Sequence, residues 1–580
     1  MWPHVDIFAG KLTNLIIKMS VVSSRVSNLS SILKSPGVRS QLVKQSNRVY
    51  FKLPKNIKNI LFNFENRNGI KDYEDLICTL RNSNIKDIDL ADFLTEVRQC
   101  VSLLGPVHKI FVEVLLQLNW IDRSPEVISA YKIFLEDLMC AQVYHGKCII
   151  DKLVELFKPA ENDDVEWEAG EYRKEDIDRL NHIHDVLRKI LKVVPMSSKL
   201  LLQSVRLRFP YIIHGTHVHE VYIYSLLQLL EYAPQLRSDI LSLIINRLMV
   251  LDVNIPRSDI NDEDEDNSME SNDEIDTNTN TNNENKENIK SLHPIAHTLD
   301  VCMEQILKFI YDTCYVKEEL NMESLKKLYL DILKMFETII LPTHASQYVQ
   351  YIMFYICSFK VAVVEAFLDW LWRKVTDPNV PTILRHTSVS YIASLVAAAS
   401  FVSSGLVKKT QSNLAKWIHN YINMEENSDY VSDDPMNHPV FYSVCQALFF
   451  IVTARHKDFI GTKNNMMCLH ELDLPRIVTC KLNPLKSCQS EIVHNFADVS
   501  RTYQLAYCYT IIESNSRHQL PIIHDTNSCN YTLDSFFPFS TYALNRSAQR
   551  LSHLLYDNSV SNCHSFMNKH RTDIAEFMID

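Results

Sequence analysis

Glycine is scarce in this chain: nine residues in 580, where ordinary usage near 7% would give about 40. Tight hairpins, β-bulges and phosphate-cradling loops call for positive φ or close backbone approach, which glycine supplies at least steric cost. The nine are also scattered, at Gly10, Gly37, Gly69, Gly105, Gly146, Gly170, Gly215, Gly405 and Gly461, so neither G-x-G-x-x-G nor G-x-x-x-x-G-K-[ST] can be written. Common nucleotide-binding folds are thereby disfavoured and helices favoured. C-x-x-C is also missing, although there are fourteen cysteines; without that spacing or a secretory signal they read as reduced, mostly buried thiols of a cytosolic or nuclear protein. No apolar run reaches the roughly 18 residues of a spanning helix, so no membrane is expected.

What is present is a string of amphipathic helices. After the break at Ala233-Pro234, Ile240, Ile244 and Leu248 recur at i, i+4 and i+8, and Glu220–Tyr232 before it completes a hairpin. Similar pairs are expected at Leu104–Leu118 with Pro125–Leu138 and at Leu325–Leu341 with Ser346–Phe359. Hairpins of this size cannot bury their stripes alone, and a stack of them is an all-α, HEAT/armadillo-like solenoid; a compact irregular α-bundle is the alternative. Of the formal charge of −11, −10 lies between Ser258 and Lys290, among Asn, Ser and Thr. That composition predicts a disordered acidic insertion. The expected division is a mostly disordered arm over 1–55, helical repeats over 56–251, the acidic insertion over 252–292, further repeats over 293–525 and an irregular tail over 526–580.

Catalysis and metal binding find little support. His214, His217 and His219 form the densest histidine group, with His182 and His184 upstream, but no cysteine or carboxylate stands at ligand spacing. No nucleophile elbow or zinc-protease helix can be written. A helical binding scaffold with no cofactor is expected. With a pI of 6.1 and no basic cluster, direct DNA contact should be weak or indirect. Two phosphoacceptor patterns stand out. Ser35-Pro36 with Arg39 has the proline-directed form, and Ser271 with Asp273 and Glu274 the acidophilic form; a phosphate at either adds about −1.5 to −2 charges.

Four words in the second half carry more information: Leu341–Lys360 (LPTHASQYVQYIMFYICSFK), His438–His456 (HPVFYSVCQALFFIVTARH), Lys481–Cys488 (KLNPLKSC) and Asp534–Ser547 (DSFFPFSTYALNRS). In this order, with NWIDRS at Asn119–Ser124, LDVNIPR at Leu251–Arg257, CYV at Cys314–Val316 and DPNVPTILRHTSVSYIAS at Asp377–Ser394, the chain resembles the RNA polymerase I-specific transcription initiation factor family, also called TIF-IA. The residues themselves read as structural: a break at Pro342 with a restart near Ser346, a helix at His438 apolar nearly all round, and a turn at Pro484.

The resemblance implies a nuclear and nucleolar HEAT-repeat factor that bridges RNA polymerase I, near its stalk and largest subunits, to the promoter-bound selectivity or core factor under phosphorylation control, with a homodimer as a further expectation for the free protein. It places the polymerase-facing surface at Trp120, Arg123, Ser124, Ser197 and Ser198, for which helix capping is the alternative use of the serines. It places the promoter-factor contact at Tyr391, Ile392, Leu395 and Val396, where uncharged residues replace the basic ones of relatives and a buried helix is the alternative. A helical nuclear adaptor or transport protein with another cargo is the rival class, and tandem tryptophan ladders, which six tryptophans do not provide, would mark it.

Overall fold

The computed structural model describes residues 53–82, 85–159, 169–170, 172, 174–256, 293–344, 346–426, 437–459, 463–517, 537–539 and 542–556. These form an all-α solenoid. The expected arm up to residue 52 and the acidic segment from residue 257 onward lie outside the described residues, as do Ser35, Ser271 and most of the stretch from Glu161 to Glu171.

Two rows of helices build the first half. Asp87–Gln99, Pro125–Ala141, Lys174–Val193 and Thr216–Tyr232 form one layer; Lys109–Leu116, Gly146–Glu155, Ser197–Arg208 and Arg237–Val253 form the other. Within a layer the helices run parallel, because like ends bond to like ends. Arg98 meets Asp137 at 2.5 Å, Lys189 meets Glu136 at 2.7 Å, and at the other end the Ser124 N–H donates to Asp87 at 3.0 Å. Every first-to-second-layer turn therefore falls on one edge and every return turn on the opposite edge, about 25 Å away across a 17-residue helix. Proline at the first helical position sets φ where an amide donor has no partner anyway; Pro125, Pro294 and Pro439 all do this. The hairpin across Ala233-Pro234 is found as read, its second helix beginning at Arg237.

The helix Pro294–Cys314 lies against both Thr216–Tyr232 and Arg237–Val253 and carries the stack into the second half. It ends in a two-stranded hairpin, Tyr315–Val316 with Glu319–Leu320, turned by Lys317 and Glu318 at φ 53° and 67°. Glycine scarcity argued against tight hairpins, yet this one places two ordinary residues in the left-handed region, at a cost of about 1–2 kcal/mol each. Among the described residues it is the one sheet.

The irregular tail of the sequence reading is, over its described part, a structural strap. Phe537 stacks on Phe450 at 4.4 Å, and Phe539 sits 5.2 Å from Tyr351, 5.2 Å from Phe354 and 5.7 Å from Tyr391. The Gln350 side chain donates to the Pro538 carbonyl at 2.7 Å. Asn545–Leu551 is a helix whose first N–H groups, those of Arg546 and Ser547, donate to the buried Asp300 at 2.9 and 2.8 Å. Arg546 also pairs with Glu304 at 2.8 Å and donates to the Ala169 carbonyl at 2.8 Å. Beside it the buried Glu220 accepts from the Gly170 N–H at 2.8 Å. Beyond the helix, Ser400 N donates to Leu554 O and Tyr556 N to Ala398 O, a short antiparallel bridge. The strap thus joins the last N-terminal repeat to the C-terminal core.

Asp252 corrects the other boundary. Expected at the start of the insertion, it is buried at the end of the Arg237–Val253 helix and accepts from the N–H groups of Gln347, Tyr348 and Val349 at 3.0–3.1 Å. Burial pushes its carboxyl up, and those three donors oppose the shift. It caps the turn that follows the break at Pro342 and launches Tyr351–Ser358.

Candidate interaction surfaces

The residues expected on one polymerase-facing surface fall on opposite edges. Trp120 is buried and stacks on Tyr131 at 5.0 Å. Arg123 donates to the Ile85 carbonyl at 2.8 Å and to Asp87 at 2.9 Å, and these contacts hold the Asp87 carboxyl below its ordinary range. Ser124 precedes Pro125 as the helix-capping residue, although its hydroxyl makes no capping bond. NWIDRS is therefore a clamp between two repeats at the return-turn edge. Ser197 begins its helix at the other edge, with no exposed surface and its hydroxyl on the Val194 carbonyl at 2.5 Å. Of the two serines there, Ser198 alone keeps partial exposure. The expectation of one continuous patch is corrected: parallel layering separates residue 124 from residue 197 by the length of a helix.

The edge that carries Ser198 has a feature the sequence reading missed. At three successive turns it leaves large apolar side chains in water: Val107 and Ile110, then Val143 and Tyr144 at 65% and 56% exposure, then Val193 and Met196 at 60% and 72%. The first two turns are fixed in register, since Gln142 donates to the Ser102 carbonyl at 2.9 Å and His145 lies 3.0 Å from the Leu104 carbonyl. Single exposed apolar residues are ordinary, but a row of them on adjoining turns is the kind of surface that another protein covers. Ser102 is exposed within the row. The available signal was apolar residues inside the breaks between helices, at GPVHKI and QVYHG, where polar turn residues are usual.

Tyr391, Ile392, Leu395 and Val396 are all buried within Thr382–Ala398, so a partner contact through their side chains is also corrected to the buried-helix alternative. The exposed part of that helix is its first turn, where Ile383 is 73% exposed. Its far end is closed by Arg455, buried, whose guanidinium donates to the carbonyls of Val396, Ala399 and Val402 at 2.9, 3.1 and 2.9 Å. The Tyr556 ring lies 4.9 Å from that guanidinium. Carbonyls at a helix C-terminus lack intrahelical donors, and an arginine fork answers them.

The four diagnostic words are thus largely one packed unit. The described residues of the fourth word, 537–539 and 542–547, pack on Leu341–Lys360, the His438–His456 helix supplies Phe450 and Arg455, and Tyr442 of that helix donates to the Leu482 carbonyl at 2.9 Å in the third word. Asn483, in the left-handed region, precedes the short helix Pro484–Ser487. Among the described residues no group of three His, Cys, Asp or Glu side chains could hold a metal, and no helix is long and apolar enough to cross a membrane. His219 is buried, and burial pushes it down to about 4.

Comparison with known proteins agrees in sequence and in fold. The family model described as RNA polymerase I specific transcription initiation factor RRN3 matches residues 52–557. A mouse protein named RNA polymerase I-specific transcription initiation factor RRN3 is 32% identical over 87% of this chain and 81% of its own. A fission-yeast protein, from Schizosaccharomyces pombe and of the same name, is 24% identical over 82% of each. A crystal structure of RNA polymerase I transcription initiation factor Rrn3 shares the fold with a TM-score of 0.69 at 20% identity, over 87% of this chain and 98% of that one.

Proposed function

The chain belongs to the RNA polymerase I-specific transcription initiation factor RRN3 family, and from that premise we propose that it holds RNA polymerase I beside a promoter-bound core factor through two separate faces of one helical body. Its general role, a factor for initiation by RNA polymerase I in the nucleus, follows from the family; the faces, the bridge and its regulation are the proposal. The observation that carries it is the apolar row at Val107, Val143, Tyr144, Val193 and Met196 beside Ser102 and Ser198. That edge is the polymerase-facing surface, directed at the stalk and largest subunits. A homodimer of the free protein would bury the same row and give way to the polymerase.

The promoter-factor contact uses the exposed first turn of Thr382–Ala398, around Ile383. Two moderate contacts on a rigid body recruit strongly because each raises the effective concentration of the other partner. A phosphate on Ser198 would set negative charge among apolar side chains and oppose docking without disturbing the core. Such a bridge works in the nucleolus and transforms no substrate.

The test is the double substitution Tyr144→Glu and Met196→Glu, with capture of purified RNA polymerase I as the readout. Both side chains are exposed, so the melting temperature should hold while capture falls at least tenfold, and Ser198→Asp should act in the same direction. Undiminished capture by the folded double variant would remove this edge from the interface.

A further inference from the structure

The return-turn edge has a different chemistry. The Ser197–Arg208 helix ends on Arg206, Leu207 and Arg208, and the loop to Thr216 leaves Tyr211 and Ile213 exposed at 68% and 91%. The Arg247 guanidinium lies 5.0 Å from the Phe209 ring centre. Lys158, His214 and Arg247 all bear electrostatically on His219 and disfavour its protonation. His219 itself has no exposure, and neither of its ring nitrogens has a hydrogen-bond partner among the described residues. Among the described residues the acid paired with this group is Glu155, on Arg208 at 3.4 Å. Positive charges gathered over an unsatisfied buried imidazole, beside bare aromatic and aliphatic surface, leave both a field and an apolar face that the described residues do not answer.

The chain carries the complement on either side of this edge. Between Ser258 and Lys290 stand twelve acidic residues and two lysines, net −10, with Ile260, Met269, Ile275 and Ile289 spaced among them. Arg247 precedes Val253, the last residue of its helix, by about 9 Å of helix axis. On the return side, Thr216 bonds Thr298 at 2.9 Å in the Pro294–Cys314 helix. Both attachment points therefore flank the loop that bears Tyr211 and Ile213. A tether of roughly 35 residues has a root-mean-square span of about 30–35 Å, so reach does not limit the contact, and local concentration is on the order of millimolar.

We infer that the acidic segment 258–290 is an intramolecular ligand of this face, its carboxylates answering Lys158, Arg206, Arg208 and Arg247 and its sparse aliphatic residues covering Tyr211 and Ile213. The segment then competes with any acidic partner for the same surface. Phosphate on Ser271 strengthens the contact through added charge.

The test uses a synthetic peptide of residues 258–290, fluorescently labelled, with two full-length proteins: the native chain, and one whose twelve acids in that segment are changed to Asn or Gln. The peptide should bind the neutralised chain in a salt-sensitive manner and the native chain at least tenfold more weakly, because the tethered copy holds the site. Arg206→Glu with Arg208→Glu in the neutralised chain should abolish binding. Lys158→Glu with Arg206→Glu, which leaves the Arg208–Glu155 pair intact, guards against misfolding. Equal binding to both chains, binding to neither, or binding that survives both charge reversals in folded protein each overturns the inference.

Discussion

Replacing Phe539 by alanine removes a ring from the centre of the C-terminal core, although the residue lies in what reads as a tail. The side chain is 1% exposed and meets Tyr351, Phe354 and Tyr391. Burial and the cavity left behind set the cost of a core Phe→Ala change at about 3–5 kcal/mol, and ring pairs of this geometry add about 0.5–1.5 kcal/mol each, partly counted in that figure. An expected loss of about 4 kcal/mol follows, against less than about 0.5 kcal/mol for a residue on an unattached tail. A chain of this size does not unfold in one step, so the probe must be local. Hydrogen exchange at the amides of Thr382–Ala398 should accelerate about a thousandfold, since 1.36 kcal/mol corresponds to a factor of ten. Amides of Asp87–Gln99, in the other half, should be unchanged. Acceleration below about fivefold at Thr382–Ala398, or an equal effect in both halves, would refute the idea that the strap completes this core.

Glu220 gives a pH signature. Burial pushes its carboxyl from 4.5 to about 7, against the opposing Gly170 N–H and Arg546, so the folded state prefers the protonated acid. Its contribution is then fully present below about pH 4.5 and lost as pH rises through 7, amounting to roughly 3–4 kcal/mol. Hydrogen-exchange protection of the Thr216–Tyr232 amides, corrected for the intrinsic pH dependence of exchange, should fall over that window relative to Glu220→Gln, and parallel profiles would contradict this. Gly170→Ala tests the same junction from the backbone side. Gly170 has φ 91°, and an added Cβ would lie 2.8 Å from an Arg546 nitrogen; the arginine tip can swing away, so the backbone conformation sets a cost of about 1–2 kcal/mol. The displaced arginine also loosens from Ala169, and a double-mutant cycle with Arg546→Ala should show coupling above about 0.5 kcal/mol.

Much of the body was legible because periodicity is local. Ile240, Ile244 and Leu248 fix a helix face without knowledge of anything distant, and Pro234 and Pro342 mark breaks by their own geometry. The strap was not legible for the opposite reason. Phe537, Phe539 and Tyr542 have no regular spacing, and their partners lie 87 to more than 190 residues away, at Phe450, Tyr391 and Tyr348. Asp252 was misplaced because an acid beside an acidic stretch looks like part of it, whereas its role depends on three amides near residue 348. The family words carry the identity of the chain through residues that are mostly buried. Trp120 and Tyr391 stand in recognisable words because they pack, while the exposed row at Tyr144 and Met196 belongs to no word at all.

The strap also sets an order of events during synthesis. Residues 537–556 emerge from the ribosome after every helix they seal, so the slot between Tyr351, Phe354 and Tyr391 stays open to water until the last part of the described chain has been made. A nascent or prematurely terminated product would display that aromatic slot together with the uncapped carbonyls and carboxylates that Ser547 and Tyr556 later engage. Chaperones and proteases recognise such surfaces, so a chain truncated before residue 537 should be cleared faster than one that carries the segment.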